Sequence, residues 1–138
     1  MKPARFERMV RAAIDTVPHR FRTHLQNVAV VVEDEPSPDL LREMDVPPGD
    51  TLFGLYQGTP LTQRSWDFGN ALPDRITIFQ RPIEEECEGD EDAIVTAVGE
   101  TVIHEVGHYF GLSEEQIEEI EEQYWHARRH GDDEEEPE

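Results

Sequence analysis

The stretch His104-Glu-Val-Gly-His-Tyr-Phe-Gly-Leu-Ser-Glu114 constrains this chain more than any other. Its two histidines stand four residues apart, and a glutamate follows the first. On an α-helix, residues i and i+4 share a face, so both imidazoles can reach one ion. Glu105 projects beside them, where a base for a metal-bound water would stand. The surrounding pattern predicts a helix over residues 93–110, with Ile94, Ala97, Val98, Thr101, Val102 and Val106 as its apolar stripe. Asp90 or Asp92 suits its N-cap, and Gly111 suits the left-handed residue that ends it. Ser113-x-x-Gln116 reads as a capping box that opens another helix. There Ile117, Ile120 and Tyr124 space out the apolar stripe, and Glu118, Glu119, Glu121 and Glu122 are expected on the solvated face.

The rest of the chain reads as scaffold. Phe6, Met9, Val10, Ala13, Ile14 and Val17 predict an amphipathic helix over residues 3–17, ended by Pro18. Strands are expected at Asn27–Glu33, Thr51–Gln57 and Asp74–Gln80. Between the first two lies a proline-rich loop, residues 34–50, with one helical turn at Leu40–Met44. Gly58–Arg64 turns away from the second strand, and residues 65–73 are aromatic and turn-rich without clear periodicity. Pro82 is expected just past the third strand, and Glu84–Asp92 as an acidic connector. Residues 1–130 are expected to form one domain, and the like-charge block 131–138 a disordered tail.

Charge narrows the partners. The formal net charge is −20, and residues 84–138 hold most of it. A field of that sign repels nucleic acid and anionic lipid, serves solubility and favours cationic partners. Arg5, Arg8 and Arg11 read as a solvated basic face near the acidic half. No apolar run approaches the ~18–20 residues of a membrane-spanning helix. The charged N-terminus lacks the apolar core of a signal peptide. Cys87, the single cysteine, rules out an intramolecular disulfide. These features lead us to expect a cytoplasmic protein with no nucleic-acid or membrane partner. Cys87 sits among acids, which disfavour a reactive thiolate.

The donor types set the roles. Two neutral imidazoles and one carboxylate suit Zn2+ and leave a fourth position for water. Zinc lowers the pKa of that water towards ~7, and Glu105 stands ready to take its proton. Glu114, just past the Gly111 turn, is the leading third ligand. Glu115 is its chemical equal, and His126 and His130 require the last helix to fold back. Tyr56, Trp66 and Tyr109 are candidates for the cleft wall, with core packing the plainer role.

Three segments carry a family resemblance: Gly54–Arg64, Leu72–Phe79 and Thr101–Gly111. Over roughly residues 50–125 the chain resembles the minimal zincin-like metallopeptidase family of bacteria. The resemblance implies an α+β fold with a small twisted sheet of three to four strands. The sheet packs on an N-terminal helix, the HExxH helix and a closing C-terminal helix. It also implies His104, His108 and Glu114 as zinc ligands, Glu105 as general base, and a peptide or protein substrate. The strand at Arg75–Gln80 is implied to border the cleft, where an extended peptide could add to it. No methionine follows the motif, the last being Met44, so the methionine turn of the larger metzincins is missing. A zinc-binding module without turnover is the alternative function. A zinc-dependent endoribonuclease, whose H-x3-H-x5-H spacing is similar, is disfavoured by the charge and by Glu105.

Overall fold

The computed structural model describes residues 1–58 and 73–130. Most of the turn predicted at 58–64, most of the aromatic stretch 65–73, Trp66 and the acidic tail lie outside the described residues. The first helix, α1 (Pro3–Thr16), buries Phe6, Met9, Val10 and Ala13, the stripe that the spacing predicts. Pro3 starts it, where the missing N–H has no helical partner to lose. Val17 is already extended before Pro18, because a proline disfavours the helical conformation of the residue before it. A short helix, α2 (His19–Arg22), and a 3-10 turn (Thr23–Leu25) follow and seat Phe21 in the core.

Strand β1 (Val28–Glu33) leads through helix α3 (Pro38–Glu43) to strand β2 (Gly54–Gln57). Strand β3 (Asp74–Phe79) then completes a sheet that is three-stranded among the described residues, in the order β1-β3-β2. β1 runs parallel to β3, with Val30 opposite Ile76, and β2 runs antiparallel to it, with Tyr56 opposite Ile76. β3 is therefore the central strand. This corrects the expectation that a peptide adds beside Arg75–Gln80, because β1 and β2 occupy both edges of β3. Among the described residues, the edge strand beside the histidine helix is β2.

Pro82 falls just past β3 as expected; a second correction concerns the acidic connector expected at Glu84–Asp92, whose first three residues are helical. β3 passes directly into helix α4 (Gln80–Glu86), with Pro82 in its first turn. Proline is tolerated there because the first N–H groups of a helix lack partners inside it. Pro82 and Ile83 are buried and anchor the turn, which outweighs an acidic composition read as a loop.

Helix α5 (Glu91–Tyr109) begins on Asp90, whose carboxylate accepts from the N–H groups of Asp92 and Ala93 at 3.0 and 3.3 Å. It is the hub of the molecule, meeting α1, α4, β2, β3 and the last helix, α6 (Glu114–His130). Ile94, Val98, Val102, Ile103 and Val106 are fully buried along it. They share one core with Phe6 and Ala13 of α1, Ile76 and Ile78 of β3, and Ile117 and Tyr124 of α6. The architecture is α+β. No helix among the described residues is long and apolar enough to cross a membrane.

Candidate metal centre

Eight of the nineteen residues of α5 are buried, and a polar strip runs along its last turns beside them. Thr101, His104, Glu105 and His108 follow the i, i+3, i+4, i+7 spacing and fall on one face. The imidazole rings of His104 and His108 lie 5.8 Å apart between centroids, tilted by 44°. Their side chains are 42% and 51% exposed, so the strip opens to solvent.

Glu105 is held from the sheet. Its Oε1 accepts the backbone N–H of Tyr56 at 3.3 Å. Phe79 donates its backbone N–H to the Phe53 carbonyl. In an antiparallel pair, hydrogen-bonded and non-hydrogen-bonded positions alternate, so the main chain of Tyr56 faces away from β3 and towards α5. Burial pushes the Glu105 carboxyl above the usual range, while the Tyr56 N–H and the two imidazoles oppose that shift.

The end of α5 is built to bring an acid back to the strip. Gly111 adopts φ +79°, the left-handed region that glycine enters at no steric cost. Leu112 N–H donates to the Gly107 carbonyl at 2.9 Å and Gly111 N–H to that of His108 at 3.1 Å. This is the paired closure of a Schellman motif. The capping box then forms as the spacing predicts. Ser113 Oγ accepts from Gln116 N–H at 3.1 Å, and Gln116 Oε1 accepts from Ser113 N–H at 2.8 Å. Glu114 becomes the first residue of α6, with its Oε2 3.4 Å from His108 Nε2. Glu115 is exposed on the same turn. His126 lies about 18 Å further along the helix at 1.5 Å per residue, and His130 further still.

Close approach of the two helices depends on missing side chains. A Cβ at Gly99 would stand 2.1 Å from the Tyr124 ring, and one at Gly107 would stand 2.9 Å from Ile117. Tyr124 fills the first gap and donates its hydroxyl to the Val95 carbonyl at 2.6 Å.

Sequence reasoning missed one residue. Glu121 was expected on the solvated face of α6, yet it is 6% exposed and its Oε2 lies 2.7 Å from His104 Nδ1. Burial raises its carboxyl pKa and the His104 imidazole opposes the rise. The signal was present, because 117, 120, 121 and 124 follow the i, i+3, i+4, i+7 spacing of one face. The residue type hid it.

The arrangement has a definite chemical content. Ligands about 2.0–2.2 Å from a tetrahedral zinc stand about 3.4 Å from one another, so His108 Nε2 and Glu114 Oε2 are spaced as two corners of such a site. His104 offers its second ring nitrogen as a further donor of the right type. Among the described residues no three His, Cys, Asp or Glu side chains already converge on one metal position. Exposed His108 and Glu114 retain the rotamer freedom to close on an ion. Tyr56 stacks on Tyr109 at 4.0 Å, and Phe110 meets both edge-on. Tyr56 is core, with its hydroxyl donating to Asp74 at 2.6 Å, whereas Tyr109 and Phe110 are exposed beside the strip. A separate groove of about 430 Å3 between α1 and β1 has Val10, Ile14 and Val31 in its wall. Its charged groups, Glu7 and Arg11, offer no metal-ligand set.

A family model described as zincin-like metallopeptidase matches residues 25–124. The search of curated proteins finds no match for this chain.

Proposed function

We propose, from the premise that this chain belongs to the zincin-like metallopeptidase family, that it is a zinc-dependent peptidase. His104, His108 and Glu114 would hold the ion, and Glu105 is the general base. The observation that carries this reading is the 3.4 Å approach of Glu114 to His108, across a turn closed by Gly111 and a cap made by Ser113. Two imidazoles and one carboxylate are the donor set of a catalytic rather than a purely structural zinc site, because they leave a position for substrate or water.

When bound, zinc supplies Lewis-acid polarisation of a carbonyl and acidification of water. The chain's own residues do the rest. Glu105, steadied by the Tyr56 N–H, takes a proton from the attacking water and returns it to the leaving amine. The substrate peptide lies between the β2 edge and the histidine strip. The exposed rings of Tyr109 and Phe110 give its side chains an apolar contact. The acidic face of α6 favours peptides that carry positive charge.

Zinc content and cleavage of a peptide library, measured on wild type and Glu105→Ala, test the reading. The expected result is stoichiometric zinc in both proteins, with cleavage lowered about 10²–10⁴-fold in the variant. Zinc without cleavage in either protein would leave a binding module in place of an enzyme. Wild type without stoichiometric zinc would defeat the site itself.

A further inference from the structure

Helix α6 carries one acid that solubility does not explain. Glu121 lies in the same buried stripe as Ile117, Ile120 and Tyr124, among positions that otherwise hold apolar or aromatic side chains. A buried carboxylate is expensive unless it is paired and hydrogen-bonded. Its partner is His104 Nδ1 at 2.7 Å, and the only other acceptor at that nitrogen among the described residues is the Glu100 carbonyl at 3.3 Å. A carboxylate at Glu121 and the Glu100 carbonyl are both acceptors, and a proton on Nδ1 serves them together. An imidazole that donates from Nδ1 keeps its lone pair on Nε2, and the hydrogen bond at one nitrogen sets the state of the other. Ring rotation is restrained by the same contact.

We propose that Glu121 is a positioning residue that fixes His104 as the Nδ1–H tautomer, with Nε2 presented to the ion. The identity of the ion rests on the zinc-peptidase reading. Helix α6 then serves the site twice, supplying Glu114 at its start and orienting His104 from its middle. The orientation is present before any metal arrives, because it is made by a contact between two packed helices in which Glu121 is buried.

The test uses the full chain in three forms: wild type, Glu121→Leu and Glu121→Gln. Leucine fits the apolar stripe and removes the acceptor. Glutamine keeps an acceptor oxygen but is a poor metal ligand. In the zinc-free, 15N-labelled protein at a pH where histidine is neutral, two-bond 1H–15N correlations report the proton's position on each ring. Wild type and Glu121→Gln are expected to show His104 protonated on Nδ1, and Glu121→Leu to show its Nε2 protonated in a substantial fraction. Zinc affinity by chelator competition is expected to fall about 10–100-fold in Glu121→Leu, with Glu121→Gln recovering most of it. An Nε2-protonated His104 in wild type would overturn the proposal, as would unchanged affinity in Glu121→Leu. A loss in Glu121→Gln as large as in Glu121→Leu would also overturn it, since that marks Glu121 as a direct ligand. Should Glu121→Leu not fold, wild type and Glu121→Gln still decide through the tautomer. Wild type that binds zinc but cleaves nothing would sink the peptidase reading alone, because neither readout depends on turnover.

Discussion

Helix α6 meets the histidine strip of α5 at two places, and the meetings differ in kind. At its first residue, Glu114 approaches His108 across 3.4 Å with its side chain 75% exposed. Two turns later, Glu121 meets His104 at 2.7 Å with its side chain 8% exposed. An exposed ion pair contributes only ~0–1 kcal/mol, and its side chains stay free to rotate. The second pair has a buried member, Glu121, and a polar group left unpaired in the core costs about 1–3 kcal/mol. One corner of the site is therefore fixed by the fold, and the other is held by a helix cap and adapts.

Three measurements probe that contrast. The largest effect is expected for Glu114→Ala, which should weaken zinc more than about 100-fold, beyond the range for residues that only support a ligand. It should change metal-free stability by less than about 0.5 kcal/mol, because the residue is exposed. Chelator competition and urea unfolding of the same preparation check both halves. Equal zinc affinity would remove Glu114 from the ligand set and return Glu115 to consideration.

The next effect separates the two histidines. His104→Ala strands the Glu121 carboxyl in the core, so the metal-free protein should lose about 1–3 kcal/mol. His108→Ala has only an exposed partner to lose and should unfold close to wild type. Thermal melts in a chelator reveal the difference. Equal melting temperatures would mean that the buried contact adds nothing to stability and that the contrast between the two meetings is one of geometry alone.

The smallest effect at neutral pH concerns Tyr124, the anchor between α5 and α6 at Gly99 and Val95. Burial, the largest cause, holds the Tyr124 hydroxyl above the usual tyrosine range. The folded state therefore keeps a proton that the unfolded chain gives up above pH ~10. Fewer protons in the unfolded state mean that stability falls as pH rises past that point. Urea midpoints at pH 9 and pH 11 should drop for wild type and drop less for Tyr124→Phe. Parallel drops would place the alkaline weakness elsewhere.

Much of the site was legible because its determinants are local. The four-residue spacing of His104 and His108 fixes their shared face. Gly111 and Ser113 act through hydrogen bonds that span five residues or fewer, and the positions of α5 and α6 follow from them. Glu121 was not legible, since an acid in an acidic helix is by default a solvated one. Only the approach of α5, permitted at Gly99 and Gly107, turns that face of α6 inward. α4 was hidden for a related reason. Three consecutive glutamates read as the start of a connector until Ile83 is seen to be buried.

The sequence by itself determined the helix that carries His104, Glu105 and His108, the turn after it and the cap that places Glu114. Each is a matter of backbone geometry within a few residues. Tertiary structure alone decided that β3 is central and β2 borders the histidine helix, that Tyr56 steadies Glu105, and that Glu121 holds His104. Those contacts join residues 17 or more positions apart. They depend on which faces the core brings together, a choice that burial of apolar surface makes over the whole chain at once.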